Sequence, residues 1–524
     1  MTETKGDREP FAVRVFWRLG AGLAAAVLTA CGGGPAATTP LAGTAALTPS
    51  QASTSDIATV GTQPGVSPFI SFVNLVGQGV PDLAAIEFTI APKPGSVSQP
   101  VHVVYGYPAL VARGFVPYQY SVTLPVFGLY ANYENQVSLQ LDFQDGSTLN
   151  LATSVTTAPY TDPTGIYSQP TVRIPRAAGS ALGFNFFVMK SGLGSPVIVD
   201  TDAEIRWVVP GVANAISMAF QDDEFVIGNP ASPTVYRLRL DGSVAQSAVD
   251  SSTYTLFHHN IDPGKLGLFA EFNAMIDGAD DIETTVGEIT DHGAVLNQWD
   301  LAAILSAYMT SQGDDASAFV RPGVDWFHNN ATTYDASDDS IIVSSRENFL
   351  IKLDYSTGNI IWILGDPTKY WYTFPSLRAK ALTLAAGGLY PLGQHGISIT
   401  SDGLLMLFND GLGSANQPAG APAGASRTYS AVSAYAIDGA SMTAQNAWNF
   451  DYGQSIYSNI CSSAYESTGQ SILVDYAVAD DYTHARLVGL DADHNVVFDF
   501  QYPTKPCNTS WNALPIALDN LTIN

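Results

Sequence analysis

The chain has 524 residues and a formal net charge of −26, from 22 basic and 48 acidic side chains. So acidic a surface excludes nucleic acid, whose phosphates need clustered Lys and Arg. It also gives no steering toward anions, so a site for an anionic substrate has to supply its own positive groups. The length allows more than one domain with an ample core.

Residues 1–31 read as an export signal. Lys5, Arg8, Arg14 and Arg18 form a basic region, and residues 19–30 form an apolar stretch too short to span a bilayer as a helix. The stretch ends Leu28-Thr29-Ala30-Cys31 and is followed by glycines. That pattern resembles a bacterial lipobox, so cleavage before Cys31 and lipidation of its thiol are expected. An ordinary cleaved signal with an incidental cysteine is the plainer alternative. Gly32 stands where an Asp would mark inner-membrane retention, which points to the periplasmic face of the outer membrane. Residues 32–66 are rich in Ala, Thr, Ser, Pro and Gly with almost no charge, and read as a flexible tether.

Residues 67–160 read as a small all-β, sandwich-like domain. Segments 85–90 (AIEFTI), 101–105 (VHVVY) and 137–143 (VSLQLDF) alternate with period two, with Pro-Gly and Asp-Gly turns between such segments. His102 sits among valines and reads as a strand residue facing solvent. From 165 to 524 a longer repeat appears: an Asp- or Gly-bearing turn followed by an apolar or Trp-bearing strand. It recurs at Asp200 to Trp207, at Asp241-Gly242, at Asp291 to Trp299, at Asp354 to Trp362, at Asp438-Gly439 with Trp448, and at Asp491 to Phe498. Six copies of a four-stranded unit predict an all-β fold with a six-bladed propeller over 165–524. Short helical inserts are expected over 301–311 and 377–386.

Residues 325–365 hold the fullest copy. Trp326-Phe327-His328 opens it, Asp335 follows seven residues after His328, and three apolar strands end at Leu364. His395 has Asp402 at the same spacing, His258-His259 opens a third copy, and Cys461 takes the His place in a fourth. Equivalent positions of successive blades lie around one axis, so His258 or His259, His328 and His395 should converge on one pocket. Neighbours on a strand point to opposite faces, so one of His258 and His259 is expected to face the axis, and His259 is favoured. Asn330, two residues after His328, and Arg346, at the end of the next strand, complete the cluster. Beyond Cys31, only Cys461 and Cys507 remain, and in an oxidising compartment they are expected to pair, two buried thiols being the alternative.

The segments FHHN (257–260), DWFHNN (325–330), SSR (344–346), WILG (362–365), GQH (393–395) and LFNDG (407–411), with the run from Gly128 to Val137, resemble the exported bacterial arylsulfate sulfotransferases that do not use the adenosine-phosphosulfate cofactor. The resemblance implies a propeller with a central funnel and a sulfuryl group carried transiently on histidine. It makes His395 the carrier, surrounded by His328, Asn330, Arg346 and His259. It implies an aryl sulfate donor, a phenolic acceptor, no cofactor and no metal, a homodimer, and contact with membrane only through the lipid anchor. In two places the sequence departs from the family pattern: Gly396 stands where an acidic residue is usual, and Asn409-Asp410 reverses the usual order. The cysteine pair also stands apart from the family's placement.

Two other classes fit parts of the pattern. Three histidines can hold zinc for an ester hydrolase, although no carboxylate shares their register and Arg346 would crowd a cation. A non-catalytic binding propeller has no need of axial imidazoles beside an arginine. On the lipobox reading, Cys31→Ser releases the protein from membranes, because a triacylated cysteine supplies the only strong attachment; persistence in the membrane pellet after a high-salt wash overturns that reading.

Overall fold

The computed structural model describes residues 56–276 and 278–524. The expected signal, Cys31 and most of the tether fall outside the described residues. No described helix is long and apolar enough to cross a membrane.

The first domain is a two-layer β-sandwich. One layer pairs Ala58–Pro64, Ile70–Val76 and Ser121–Phe127; the other orders Leu521–Ile523, Val101–Gly106, Leu83–Ile90, Glu134–Phe143 and Thr148–Thr156. The period-two segments behave as their pattern requires. In Leu83–Ile90 and Glu134–Phe143 the apolar residues point inward, with Ile86, Phe88, Leu139 and Leu141 fully buried. Ala58–Pro64 lies inside the stretch read as tether. It is almost wholly exposed and carries no hydrophobic alternation; backbone pairing to Ile70–Val76 alone makes it a strand.

Among the described residues six sheets of four or five strands follow, antiparallel except for one short edge strand. Their inner strands are Ala513–Ile516, Met218–Gln221, Tyr254–Pro263, Asn329–Asp335, His395–Ile399 and Ser463–Glu466. From the second sheet onward each inner strand touches the next, and Ser463–Glu466 touches Ala513–Ile516. Each interface between neighbouring sheets holds its own apolar cluster. Phe257 and Phe272 meet Val226 and Val235; Trp299 and Phe269 meet Ile341 and Val343; Trp362 meets Leu405, Leu407 and Tyr435. Phe498 and Phe500 of the last sheet pack on Phe187 and Met189 of the first, which closes the ring. The fold is a β-propeller preceded by a sandwich domain.

The repeat seen in the sequence is the turn into the fourth strand of every sheet, counted outward from the inner one. Its Asp works by accepting backbone N–H groups two to four residues on. Asp200 Oδ1 takes those of Asp202 and Glu204, Asp354 Oδ1 those of Ser356 and Thr357, and Asp491 Oδ1 those of Asp493 and Asn495. In the third sheet Thr290 Oγ1 takes this role and leaves Asp291 to bond His292. The expected helix over 301–311 is present as Leu301–Ser311, capped by Asp300. The second insert is shorter than expected: a single turn, Pro375–Arg378, and then Thr383–Leu384 running parallel to Thr443–Phe450. Exchange of backbone bonds with that outer strand outweighs the helix propensity of the Leu-Ala run.

The two domains share one core, in which Phe88 and Phe127 of the sandwich join Phe186, Trp207 and Phe225 of the propeller. Arg206, fully buried, pairs with Asp200 at 3.0 Å, donates to the Gly128 carbonyl at 2.6 Å and lies 3.7 Å over the Tyr130 ring. This is what the run from Gly128 to Val137 is for; Gly128 has φ +83°, and a Cβ there would come within 3.0 Å of Val101.

Cys461 and Cys507 are bridged, with Cα atoms 6.0 Å apart and a sequence separation of 46. A loop of that size is worth about 4 kcal/mol in the chain-entropy account. The Cys461→Ser/Cys507→Ser pair is therefore expected to lower unfolding free energy by about that amount in denaturant titration. Titration of unreduced, denatured wild type should find neither of these two thiols; both free would overturn the bridge.

Candidate active site

The histidine register has a backbone cause. At the mouth of the inner strands, residues take left-handed conformations: φ is +49° at His259, +57° at His328, +54° at Gly396 and +58° at Cys461. The ladder slips just there, between His258 and Ile261, Asn329 and Ala331, and His395 and Ser398. Such bulges break the strict alternation of a strand and re-aim its side chains. Each non-glycine residue held this way costs on the order of 1–3 kcal/mol, which the surrounding packing offsets. At Gly396 the constraint is double: a Cβ would come within 3.0 Å of Ser463 in the next sheet. Glycine suits this position on both counts.

The histidines do converge. The ring of His259 lies 4.6 Å from His328 and 6.4 Å from His395. Because of the bulge, His258 does not turn away as simple alternation requires. Its ring is 5.2 Å from that of His259, and the two Nδ1 atoms are 3.0 Å apart, so one donates to the other. His259 is the member in ring contact with the other two.

Each imidazole has a different electrostatic setting. His395 Nδ1 lies 2.9 Å from the Gly393 carbonyl and 3.1–3.2 Å from both oxygens of Asp410. A carbonyl can only accept, so the proton sits on Nδ1 and Nε2 carries the lone pair. Burial pushes the Asp410 carboxyl above its usual range, and His395 pulls it back. His328 Nδ1 faces Asp325 Oδ2 at 2.6 Å and Glu283 Oε2 at 2.9 Å. Burial works against its charge, but the two carboxylates win, and its pKa is raised from 6.5 to about 9. His328 is thus an imidazolium at neutral pH. His259 has the opposite fate: burial outweighs Glu283, 3.7 Å away, and with the neighbouring histidines holds it neutral.

Arg346 is buried, donates from Nη1 to Glu347 at 2.8 Å, and its backbone N–H bonds the His328 carbonyl at 3.0 Å. Asn330 is also buried, with its amide donated to the Gln394 carbonyl at 2.8 Å, next to His395, and its oxygen without a partner among the described residues. Asn330 therefore holds the His395 segment in place.

Several residues at the site carry no local sequence signal. Glu283 comes from the long hairpin strand Ala279–Ile289, where it too is left-handed, and Asp325 lies just ahead of the strand Asn329–Asp335. Burial pushes Lys369 down to about 8; its Nζ bonds the carbonyls of Arg346 and Glu347. Asp410 was visible only as half of a reversed pair, and it is the partner of His395. Carboxylates thus enter the cluster from outside the histidine register. Among the described residues, His258, His259 and Glu283, and again Glu283, Asp325 and His328, bring ligand-type atoms within 4.8 Å of one another.

A β-propeller whose inner strands gather imidazoles at one mouth, with a guanidinium at the end of the next strand, behind a sandwich domain, defines the class of the molecule. The chain belongs to the arylsulfotransferase family: the Arylsulfotransferase (ASST) model matches residues 171–512 and the Arylsulfotransferase Ig-like domain matches 65–161. Arylsulfate sulfotransferase AssT of Escherichia coli O6:H1 is 32% identical over 160 residues, 27% of this chain and 26% of that protein. The enzyme of the same name from Lelliottia amnigena is 32% identical over 156 residues, 26% of this chain and 25% of its own length. The matched segment thus spans about a quarter of these relatives. Among solved structures, the Cps50 (Swd1) β-propeller domain of Myceliophteria thermophila is similar over 64% of this chain and 100% of its own, at 11% identity and TM-score 0.33, too loose a likeness to bear on function.

The two carboxylates on His328 set a measurable pKa. In nitrogen-15 NMR His328 should titrate near pH 9 and fall back toward 6.5 in Asp325→Asn. Because the folded value lies above the unfolded one, the stabilisation is complete below about pH 6.5 and is lost as pH rises through about 9. A His328 titrating at or below 6.5 in wild type overturns this assignment.

Proposed function

We propose that the protein transfers a sulfuryl group from an aryl sulfate ester to a phenol through a sulfohistidine on His395, in two half-reactions and without a nucleotide cofactor. The observation that carries the reading is the division of labour among the imidazoles: His395 with its proton fixed on Nδ1, His328 charged, His259 neutral. Membership of the family supports it.

In the first half-reaction the lone pair on His395 Nε2 attacks sulfur and the S–O bond to the aryl group breaks. The departing phenolate takes the proton on His328 Nε2 and leaves as phenol. The ring of His395, now carrying SO3 on Nε2, bears a positive charge that Asp410 faces at Nδ1–H. Arg346 offers N–H groups beyond the one on Glu347 to the sulfuryl oxygens, where charge spreads in the transition state. His259, neutral, donates or accepts without adding charge. In the second half-reaction an acceptor phenol gives its proton to the neutral His328, its oxygen attacks sulfur, and the bond to Nε2 breaks. His328 is left charged and His395 free. The reading of residues 1–31 as an export signal ending in a lipobox supports chemistry outside the cytoplasm on a lipid anchor.

A metal hydrolase is the second reading, favoured by the two triads around Glu283. Under it, purified protein contains stoichiometric zinc and chelation abolishes turnover. Under the sulfohistidine scheme, chelation leaves transfer unchanged.

The test is mass spectrometry of enzyme mixed with 4-nitrophenyl sulfate and no acceptor, quenched at alkaline pH. One sulfuryl adduct on the peptide holding His395 is expected, and none in His395→Ala, which also loses both half-reactions. Arg346→Lys keeps the charge but loses the fork and is expected to slow transfer by about 10²–10³-fold, the scale of losing an oxyanion donor. An adduct on His259 or His328 reassigns the carrier; full activity of His395→Ala rejects the scheme.

A further inference from the structure

The walls around the three histidines are unequal. On the His328 side stand Asp325 and Glu283. Beyond Arg346 stand Glu347 and Lys369, and behind His395 stand Asp410 and the Gly393 carbonyl. All of these are charged or hydrogen-bonding groups. On the remaining side is Trp511, half-buried, with its ring 5.2 Å from His259 at an interplanar angle of 63°. Among the described residues it is the one aromatic side chain other than imidazole in ring contact with His259, His328 or His395.

Trp511 is braced from behind. It packs with Ile460 on a small apolar cluster made of Cys461, Cys507, Ala477 and Val478, that is, on the disulfide. Its backbone is tied on both sides: its N–H donates to the Lys190 carbonyl at 2.8 Å, and its carbonyl accepts from Ser462 at 3.0 Å. The proposed reaction uses none of these groups.

A sulfate ester has two ends with opposite needs. Its oxygens need donors, which the Arg346 and His328 side supplies. Its aryl group needs an apolar face, and a rigid indole gives the largest one at the least cost in rotamer freedom. We infer that Trp511, held by the Cys461–Cys507 bridge, is the surface against which the aryl ring of donor and acceptor lies, and is the residue that makes the site choose aryl over alkyl groups. This rests on the reading of the site as a sulfuryl-transfer centre. It gives the bridge a second role, since Cys461 stands at the histidine position of its sheet and serves there as the anchor of the aryl wall.

The experiment reads binding without turnover. Wild type is titrated calorimetrically with benzenesulfonate and with ethanesulfonate, anions that keep the sulfuryl end and differ in the other. Benzenesulfonate is expected to bind about 10–100-fold more tightly, the scale of burying one ring. In Trp511→Leu that preference should collapse toward unity while ethanesulfonate binds as before, and Trp511→Phe should retain most of it. Trp511→Met, closer in volume, serves if the leucine variant is not folded, with the same collapse expected. The Cys461→Ser/Cys507→Ser pair, folded at low temperature, should lose part of the preference with no change toward ethanesulfonate. An unchanged preference in a folded Trp511→Leu or Trp511→Met overturns the inference, as does a parallel loss of affinity for both anions. Turnover of 4-nitrophenyl sulfate by wild type is measured alongside. A wild type that keeps the aryl preference but transfers nothing sinks the transferase reading and leaves the aryl wall standing.

Discussion

The structure depends on one short strand. Ala513–Ile516 pairs with Phe186–Met189 and thereby completes the first sheet from the far end of the chain. Without it the first sheet has no inner strand and presents an open edge at Phe186–Met189, and the inner strand of the last sheet, Ser463–Glu466, loses its neighbour. Closure is also what assembles the site. Trp511 stands two residues before the closing strand, and its ring reaches His259, 252 residues earlier in the chain. A few residues on, Leu521–Ile523 adds a parallel strand to Val101–Gly106, so the same segment fastens the sandwich to the propeller.

On the sulfuryl-transfer reading the site meets an awkward requirement: an acidic protein has to hold an anion. The cations that meet this need are few and buried, and each is compensated. Arg346 has Glu347, Lys369 has backbone carbonyls and nearby carboxylates, and His328 has Asp325 and Glu283. A buried ion pair is weak support for stability, because desolvation consumes most of its Coulombic gain. Here the pairs do something else. They keep His328 charged where burial alone would strip its proton, and they fix the direction of each donor before substrate arrives.

Much of the fold was legible in the sequence because its signals are local. The turn aspartates are side chains bonding their own backbone, and the Trp and β-branched strands that follow are apolar on the faces that meet the next sheet. Both can be read without knowing the partner. The histidine register was legible for a related reason: each histidine sits at the same backbone irregularity of its own sheet. What was not legible came from pairings between distant segments. Ala58–Pro64 has no pattern of its own and is a strand because Ile70–Val76 is beside it. Glu283 reaches the site from the neighbouring hairpin, and nothing near it marks a functional residue. Alternation along Tyr254–Pro263 separated His258 from His259, and the bulge between His258 and Ile261 brought them together. Asn330 lies at a slip of the same kind, between Asn329 and Ala331, and its amide bonds the Gln394 carbonyl next to His395.

The closing strand also sets a clock on the molecule. A chain emerges from its N-terminus onward, and domains fold as they become available. Here the sandwich lacks Leu521–Ile523 and the first sheet lacks Ala513–Ile516 until all the sheets between have been made. Every nascent form therefore carries two unpaired sheet edges, and the imidazoles, though already in their own sheets, do not yet share a completed ring. Until the last strands dock, Trp511 is not seated beside His259, and any interruption of synthesis short of residue 513 leaves an edge-exposed intermediate suited to capture by a chaperone or a protease.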